Sequence, residues 1–109
     1  MIVRTAAKTA RTGPRTTKSY QGDASISIIL ESTTTTAWGH GCTIIPYAET
    51  FIIRRGWATF TIGSEELQGH AGQVLVVPAD TPHKFATGRD GYEGIHIHAD
   101  YRFVTEWLE

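Results

Sequence analysis

The stretch Gly72–Phe85, with the sequence GQVLVVPADTPHKF, carries the strongest structural signals in this chain. The apolar run Val74–Val77 predicts a short buried strand. Pro78 ends that strand, because proline has no N–H group to donate to a neighbouring strand. A turn through Asp80 follows, and a new strand begins at His83. The stretch therefore predicts two strands joined by a proline-rich turn.

The histidine after this turn is held in a defined direction by the strand that it begins. Successive side chains of a strand point to opposite faces of a sheet, so we expect His83 and Phe85 on one face and Lys84 on the other. His83 is therefore a candidate functional residue, and the alternative is a solvated histidine beside a turn.

The spacing of these residues resembles the second conserved motif of the cupin family. Gly72, Pro78, Pro82 and His83 all fall at the positions of that motif. Asp80 stands where cupins usually have glycine, and aspartate tolerates a left-handed backbone better than most residues. The resemblance implies that His83 is a metal ligand.

A second match lies earlier in the chain. Glu49 and Gly56 have the six-residue gap that ends the first cupin motif, within a run, PYAETFIIRRG, that is similar to one in small bacterial cupins. VVPADTPHKF and IHADYRFVTEWLE resemble the same subgroup, so the similarity extends over Pro46–Glu109. The resemblance implies a jelly-roll barrel and makes Glu49 a second metal ligand.

The two histidines that begin the first motif in cupins are missing here. Counted back from Glu49, their positions hold Thr43 and Ile45, or Cys42 and Ile44 if the gap is longer. A set of three histidines and one glutamate binds a divalent ion through neutral nitrogens and one anion. A set reduced to one histidine and one glutamate would bind a metal weakly.

Other histidines offer a replacement for the missing pair. His96 and His98 are two residues apart on a predicted strand and therefore share a face. One hypothesis is a relocated site for Mn, Fe, Ni, Cu or Zn formed by Glu49, His83, His96 and His98. The alternative is a hydrogen-bonded histidine pair at the barrel wall of a metal-free cupin, with Ile45 filling the vacated space.

The sequence leaves several functions open. A metal-dependent enzyme that acts on a small organic substrate is the first. A non-catalytic small-molecule-binding or regulatory cupin is the second, and its candidate pocket residues are Trp38, Tyr47, Phe51 and Phe60, which are equally suited to an ordinary core. An interaction module that uses a basic arm is the third. The missing histidine pair shifts the balance toward the second.

Short apolar segments and frequent turns predict an all-β fold, a small jelly-roll barrel. Strands are predicted over Ala24–Glu31, Ala37–Ile45, Glu49–Gly56, Trp57–Ile62, Glu65–Gln68 and Tyr92–His98, with turns at Gly63–Ser64 and Gly88–Gly91. Asp100 resembles an N-cap, and YRFVTEWL has apolar residues at helical spacing, which predicts a short C-terminal helix.

The N-terminal residues differ in composition from the rest. Residues 1–20 contain five Lys or Arg residues and no acidic residue, which predicts a basic arm ahead of a single barrel domain at 21–109. The arm is expected to be extended; a disordered arm and a nucleic-acid-binding or targeting tail are the alternatives. Sheet edges and apolar faces of so small a jelly roll suggest a homodimer.

Composition limits the partners and the compartment. A length of 109 residues indicates one domain, and the net charge of −1 provides no overall electrostatic basis for binding nucleic acid or membranes. Cys42 is the only cysteine, so no intrachain disulfide is formed. Because no apolar run is long enough to span a membrane and no secretory signal is visible, a cytoplasmic location is the simplest interpretation.

Overall fold

The computed structural model describes residues 15–21, 25–34, 39 and 41–108 of the chain. Their strands are β1 (Arg15–Tyr20), β2 (Ser27–Thr33), β3 (Thr43–Ile44), β4 (Glu49–Ile62), β5 (Glu65–His70), β6 (Val74–Val77), β7 (His83–His98) and β8 (Glu106–Trp107). Within these ranges there is no helix, and the predicted all-β fold is confirmed.

The strands form one curled antiparallel sheet around β7. The order along one path is β1-β2-β7-β3-β8, while β4 pairs with the whole length of β7 and with β5 and β6 on its other side. The core on the inner face consists of Phe51, Ile53, Ala58, Phe60, Val77, Phe85 and Tyr92. This arrangement places the inward-facing residues of β4 and β7 side by side.

The predicted C-terminal helix is wrong. The segment after His98 bends and then forms β8, which pairs with β3. The Asp100 carboxylate accepts a bond from the Arg102 N–H and so holds a single turn. The Val104 N–H donates to the hydroxyl of Tyr47 instead of to a carbonyl of its own segment, so no helical hydrogen-bond ladder begins.

The predicted turn at Gly88–Gly91 and the predicted break between the strands Glu49–Gly56 and Trp57–Ile62 are also wrong, because both places are irregularities inside long strands. Residues 49–62 form one strand, and Gly56, with φ of 72°, lies at a bulge where the pairing to β7 shifts. A Cβ at Gly56 would lie 1.9 Å from the carbonyl oxygen of Gly91, so only glycine allows this approach. Gly91, with φ of 83°, is the matching irregularity in β7.

The central stretch largely follows the prediction. Asp80 has φ of 59°, which is the left-handed conformation expected at that turn. His83 and Phe85 are buried, whereas Lys84 is exposed. The prediction of a fully buried strand at Val74–Val77 is wrong, since β6 is an edge strand in which Val74 and Val76 are exposed.

The predicted N-terminal arm lies partly within the sheet. Its last six residues form β1, which pairs antiparallel with β2. The earlier part of the arm lies outside the described residues. Among the residues that the structure describes, no helix has the length and apolar character needed to cross a membrane.

Candidate functional site: a buried carboxylate between two histidines

The centre of the inner face is a glutamate with a histidine on each carboxylate oxygen. Glu49 begins β4, and the antiparallel register places it directly opposite His98 on β7. The Nε2 atom of His83 lies 2.8 Å from Oε1 of Glu49, and the Nε2 atom of His98 lies 3.2 Å from Oε2. All three side chains are at least 90% buried. The structure therefore brings together three of the four predicted metal ligands.

The hydrogen bonds of His83 determine its protonation. Its Nδ1 atom lies 3.0 Å from the carbonyl oxygen of Thr81, which only accepts, so Nδ1 carries a proton. Burial acts to lower the pKa of His83, but the hydrogen bonds to Glu49 and to Thr81 outweigh it and raise the pKa above its ordinary value. Both nitrogens of His83 face oxygen acceptors, and this arrangement favours the doubly protonated imidazole.

His98 is held by a chain of hydrogen bonds from the C-terminal segment. The Val104 N–H donates to the Tyr47 hydroxyl oxygen at 3.0 Å, and that hydroxyl lies 2.7 Å from Nδ1 of His98. Tyr47 can therefore donate its own proton to Nδ1, which leaves the proton of His98 on Nε2, facing Glu49. The Phe103 ring packs edge-on against the imidazole of His98, with centroids 4.9 Å apart.

The two histidines keep Glu49 ionised. Burial alone would raise the pKa of this carboxyl, but the hydrogen bonds from His83 and His98 prevail and lower it to about 2. The carboxylate is an acceptor on both oxygens, and each imidazole has a partner on both nitrogens. The network around Glu49 is therefore satisfied by protein groups alone.

His96 faces the same side but bonds elsewhere. Its Nε2 atom lies 2.7 Å from the hydroxyl of Tyr92, four residues earlier on β7. Burial raises the pKa of Tyr92, and the charges of Glu31 and Glu49 add to this effect, so the hydroxyl keeps its proton for the bond. The Tyr92 side chain reaches His96 across Gly94, where a Cβ would lie 2.4 Å from the hydroxyl oxygen.

A cavity of about 260 Å³ opens beside this network. Its polar lining consists of Thr17, Glu31, Thr43, Glu49, His96, His98 and Thr105, and its apolar lining of Ile29, Ile45, Phe85 and Trp107. Thr43 and Ile45, the residues at the motif's histidine positions in the shorter of the two possible counts, both line this cavity. Trp107, which is 60% exposed, lies at the mouth.

Tyr47, Phe51 and Phe60, which were predicted as pocket residues, do not line this cavity. Phe51 and Phe60 are in the hydrophobic core, and their rings are 5.0 Å apart. Tyr47 is buried and bonds His98 from outside the cavity lining. Trp38 lies outside the described residues. Sequence reasoning missed Glu31, although its position on an alternating strand indicates that it shares a face with Ser27 and Ile29.

The donor set only partly fits a metal ion. Two imidazoles and a carboxylate are ligands that Mn, Fe or Zn accept, and His83 donates its Nδ1 proton to a carbonyl, as metal-bound histidines usually do. However, His83 and His98 bind different oxygens of Glu49, and His96 is bonded to Tyr92. Among the described residues, no three His, Cys, Asp or Glu side chains are arranged around one point. The donor types therefore suit a metal ion, but their arrangement among the described residues does not.

The Glu49–His83 pair predicts a stability optimum in mildly acidic solution. The lowered pKa of Glu49 stabilises the fold above its ordinary value of 4.5, and this contribution of about 3 kcal/mol is lost as the pH falls to about 2. The raised pKa of His83 stabilises the fold below its ordinary value of 6.5 and is lost as the pH rises through the raised value. Urea unfolding is expected to show maximal stability between these two ordinary values.

The comparison with Glu49→Gln checks the origin of that optimum. The variant is expected to lose less stability than the parent protein below pH 4.5, because the carboxyl that must be protonated is gone. If the free energy of unfolding falls equally with pH in the two proteins below pH 4.5, other carboxyl groups cause the pH dependence.

Gly94→Ala is expected to displace Tyr92 and to cost about 1–3 kcal/mol of unfolding free energy, as overpacking does. Its Cβ would lie 2.4 Å from the Tyr92 hydroxyl, which is fully buried and bonded to His96. Urea unfolding of Gly94→Ala, Tyr92→Phe and the double variant measures the coupling. If the losses of unfolding free energy in Gly94→Ala and Tyr92→Phe add up to the loss in the double variant, the clash with Tyr92 is not the cause.

The fold and the site define the class of protein. A curled antiparallel sheet with Glu49, His83 and His98 inside it is a small jelly-roll barrel with a buried polar site. The family model described as Cupin domain matches residues 45–94, and the fold of the described residues agrees with this match.

Solved structures support this assignment of the fold. A cupin superfamily protein from Desulfitobacterium hafniense DCB-2 matches with a TM-score of 0.72 and 20% identity over 84% of this chain and 83% of its own. A conserved protein of unknown function from Streptococcus pyogenes matches with a TM-score of 0.70 and 19% identity over 82% of this chain and 76% of its own.

One part of a longer protein has the same fold. Bacillus subtilis oxalate decarboxylase, described with its Mn(II) centers, matches with a TM-score of 0.75 and 17% identity over 84% of this chain. The present chain spans only 28% of that protein. The curated proteins contain no sequence that matches this chain.

Proposed function

We propose that this cupin domain binds a small organic molecule in the cavity beside Glu49 and that it does so without a metal ion. The observation that carries the proposal is the closed hydrogen-bond network around Glu49, which leaves the imidazoles of His83 and His98 with protons on the nitrogens that a metal would need. The network is fixed in place and forms a polar wall for a ligand.

The cavity defines the size and the character of the ligand. A volume of 260 Å³ has room for about nine groups of the size of a water molecule. The wall near Glu49, His96 and His98 suits a hydrogen-bonding group, and the wall of Ile45 and Phe85 suits an apolar body. Small-molecule sites typically combine apolar surface with polar groups that fix the orientation of the ligand.

A divalent metal centre is the second candidate. The Nδ1 bond from His83 to Thr81 directs its Nε2 atom at Glu49, which is the orientation of a metal-ligating histidine. The Mn(II) centers of oxalate decarboxylase support a metal by analogy of fold. This candidate requires His83 and His98 to lose their Nε2 protons and to turn toward one point.

Elemental analysis by mass spectrometry separates the two candidates. The protein is purified without a chelator and without a metal-affinity tag, and Mn, Fe, Ni, Cu and Zn are measured. We expect less than about 0.1 equivalent of each, since the carboxylate and both imidazoles are bonded to one another and not arranged around one point. Close to one equivalent of one metal, released in His98→Ala, would replace the proposal by a metal centre.

Thermal shift measurements then test the cavity. Benzoate, glucose and other small probes are added to the parent protein and to Thr105→Trp, which adds a bulky ring at the cavity lining. We expect at least one probe to raise the melting temperature of the parent and not of the variant. Glu66→Trp, on the exposed surface of β5, is the matched control and is expected to respond like the parent. An equal response of all three proteins would place binding outside the cavity.

A further inference from the structure

A second buried carboxylate lines the cavity, on the wall formed by β2. Glu31 is 5% exposed, and it belongs to the cavity lining together with Glu49. The register of the sheet places Glu31 opposite Thr17 on β1, whose hydroxyl donates to Oε1 of Glu31 at 3.0 Å. Glu31 is not one of the groups that bond Glu49, so its position in the cavity wall calls for a role of its own.

The two carboxylates of the cavity differ in how they are bonded. The oxygens of Glu49 lie 2.8 and 3.2 Å from imidazole nitrogens of His83 and His98, and the raised pKa of His83 favours a positive charge that offsets the charge of Glu49. Glu31 instead accepts from the neutral hydroxyl of Thr17. Because a carboxylate has about four acceptor positions on its two oxygens, Glu31 can take a donor from a ligand in addition to this bond.

The charges around the cavity favour a cationic ligand. In the described part of the chain, its lining includes two carboxylates and no lysine or arginine. Burial raises the pKa of the Tyr92 hydroxyl, and the negative charges of Glu31 and Glu49 raise it further, so their potential reaches this side of the core. Charges act strongly on one another where water is excluded. An ammonium group is therefore attracted to Glu31, whereas the carboxylate of a ligand is repelled.

The apolar part of the cavity limits the body of the ligand. Ile29, Ile45 and Phe85 contribute aliphatic and aromatic surface, and a volume of about 260 Å³ suits a single small ring. Trp107 lies at the mouth and is 60% exposed. An indole attracts cations better than the other aromatic side chains do, which favours the entry of a positively charged ligand.

We propose that Glu31 determines the specificity of the cavity and that the ligand is a small primary amine with a compact apolar body. The ammonium group of such a ligand has three N–H donors, and it donates to the carboxylate of Glu31 while the apolar body packs against the apolar lining. This inference rests on the proposed function, because it assigns a ligand class to the same cavity.

Isothermal titration calorimetry with three probes that share one ring tests the ligand class. Benzylamine, benzyl alcohol and benzoate differ in their polar ends, which at pH 7 are an ammonium, a neutral hydroxyl and a carboxylate. We expect the full chain to bind benzylamine at least about tenfold more tightly than benzyl alcohol, because the attraction between opposite charges adds to the hydrogen bond. Benzoate is expected to bind most weakly of the three.

Two substitutions of Glu31 separate its charge from its size. Glu31→Gln keeps the length of the side chain and removes the charge, so it is expected to weaken benzylamine binding about tenfold and benzyl alcohol binding less than about threefold. Glu31→Asp keeps the charge and is expected to retain the preference for the amine. Glu66→Gln, on the exposed surface of β5, removes an equal charge outside the cavity and is the matched control. Circular dichroism confirms that each variant is folded.

The outcomes distinguish this inference from the proposed function. If benzyl alcohol or benzoate binds the parent protein as tightly as benzylamine does, and Thr105→Trp removes that binding, the cavity binds a ligand but the amine class is wrong. A folded Glu31→Gln that keeps the preference for benzylamine shows that Glu31 does not determine the specificity. If none of the three probes binds, this inference is overturned, and the thermal shifts with the other probes decide the proposed function separately. The order of the three probes in the parent protein tests the ligand class even if Glu31→Gln does not fold.

Discussion

Glu49→Ala is expected to lower the free energy of unfolding by about 3–5 kcal/mol, the cost of removing one partner from a buried ion pair. Glu49 is 4% exposed and accepts from both His83 and His98. Without it, two imidazoles that are bonded on their other nitrogens face an empty space. A melting temperature lower by roughly 15–30 °C would accompany this loss in a domain of this size.

The exposed pair Arg55–Glu93 provides the matched control. Its atoms are 3.7 Å apart, but the side chains are 54% and 46% exposed, so water screens the attraction. Glu93→Ala is therefore expected to change stability by less than about 1 kcal/mol. Urea unfolding at pH 6 compares the two variants. Equal effects of both substitutions would show that the buried network contributes little to stability.

Phe51→Ala is expected to lower the free energy of unfolding by about 3–5 kcal/mol, as deletions of large buried rings do. Phe51 is fully buried, and its ring packs against Phe60 at a centroid distance of 5.0 Å. It also packs edge-on against the imidazole of His96 at 4.6 Å and of His83 at 6.2 Å. One residue thus supports both the core and the polar wall of the cavity.

Phe51→Leu separates the two roles of this ring. It keeps most of the apolar volume and is expected to cost about 1–2 kcal/mol. Nitrogen chemical shifts of His83 and His96, measured by NMR, report whether the imidazoles keep their hydrogen bonds. If Phe51→Ala lowers the free energy of unfolding no more than Phe51→Leu does, the role of Phe51 in packing is contradicted.

The local sequence pattern was sufficient to predict which side chains share a face of a strand. The strand after the proline turn places His83 and Phe85 on one face, and the two-residue spacing of His96 and His98 places these two histidines on one face, as predicted. All four side chains are buried on the inner side, because the irregularity between Thr87 and Tyr92 shifts the alternation between the two ends of β7. The left-handed turn at Asp80 also followed from residue type. These features depend on neighbours within a few residues, for which backbone preferences are known.

The sequence does not show which of the histidines on β7 contacts Glu49. The cross-strand register places His98 opposite Glu49 and His96 opposite Phe51. Alternation assigns both histidines to one face, but it does not tell which residue of another strand lies opposite each of them. The pairing of His96 with Tyr92 has one local signal, the glycine between them, which lets the tyrosine ring pass.

By itself, the sequence predicted an all-β jelly roll that resembles the cupin family, and it predicted that His96 and His98 share one face of a strand. The tertiary structure decided that Gly56 and Gly91 lie at bulges instead of turns, that the segment after Asp100 becomes a strand, and that β6 lies at an exposed edge. Glycine serves a turn and a bulge equally well, and an apolar run occurs in a buried strand or in an exposed edge strand. Only the partners that the rest of the chain brings to each segment distinguish these outcomes.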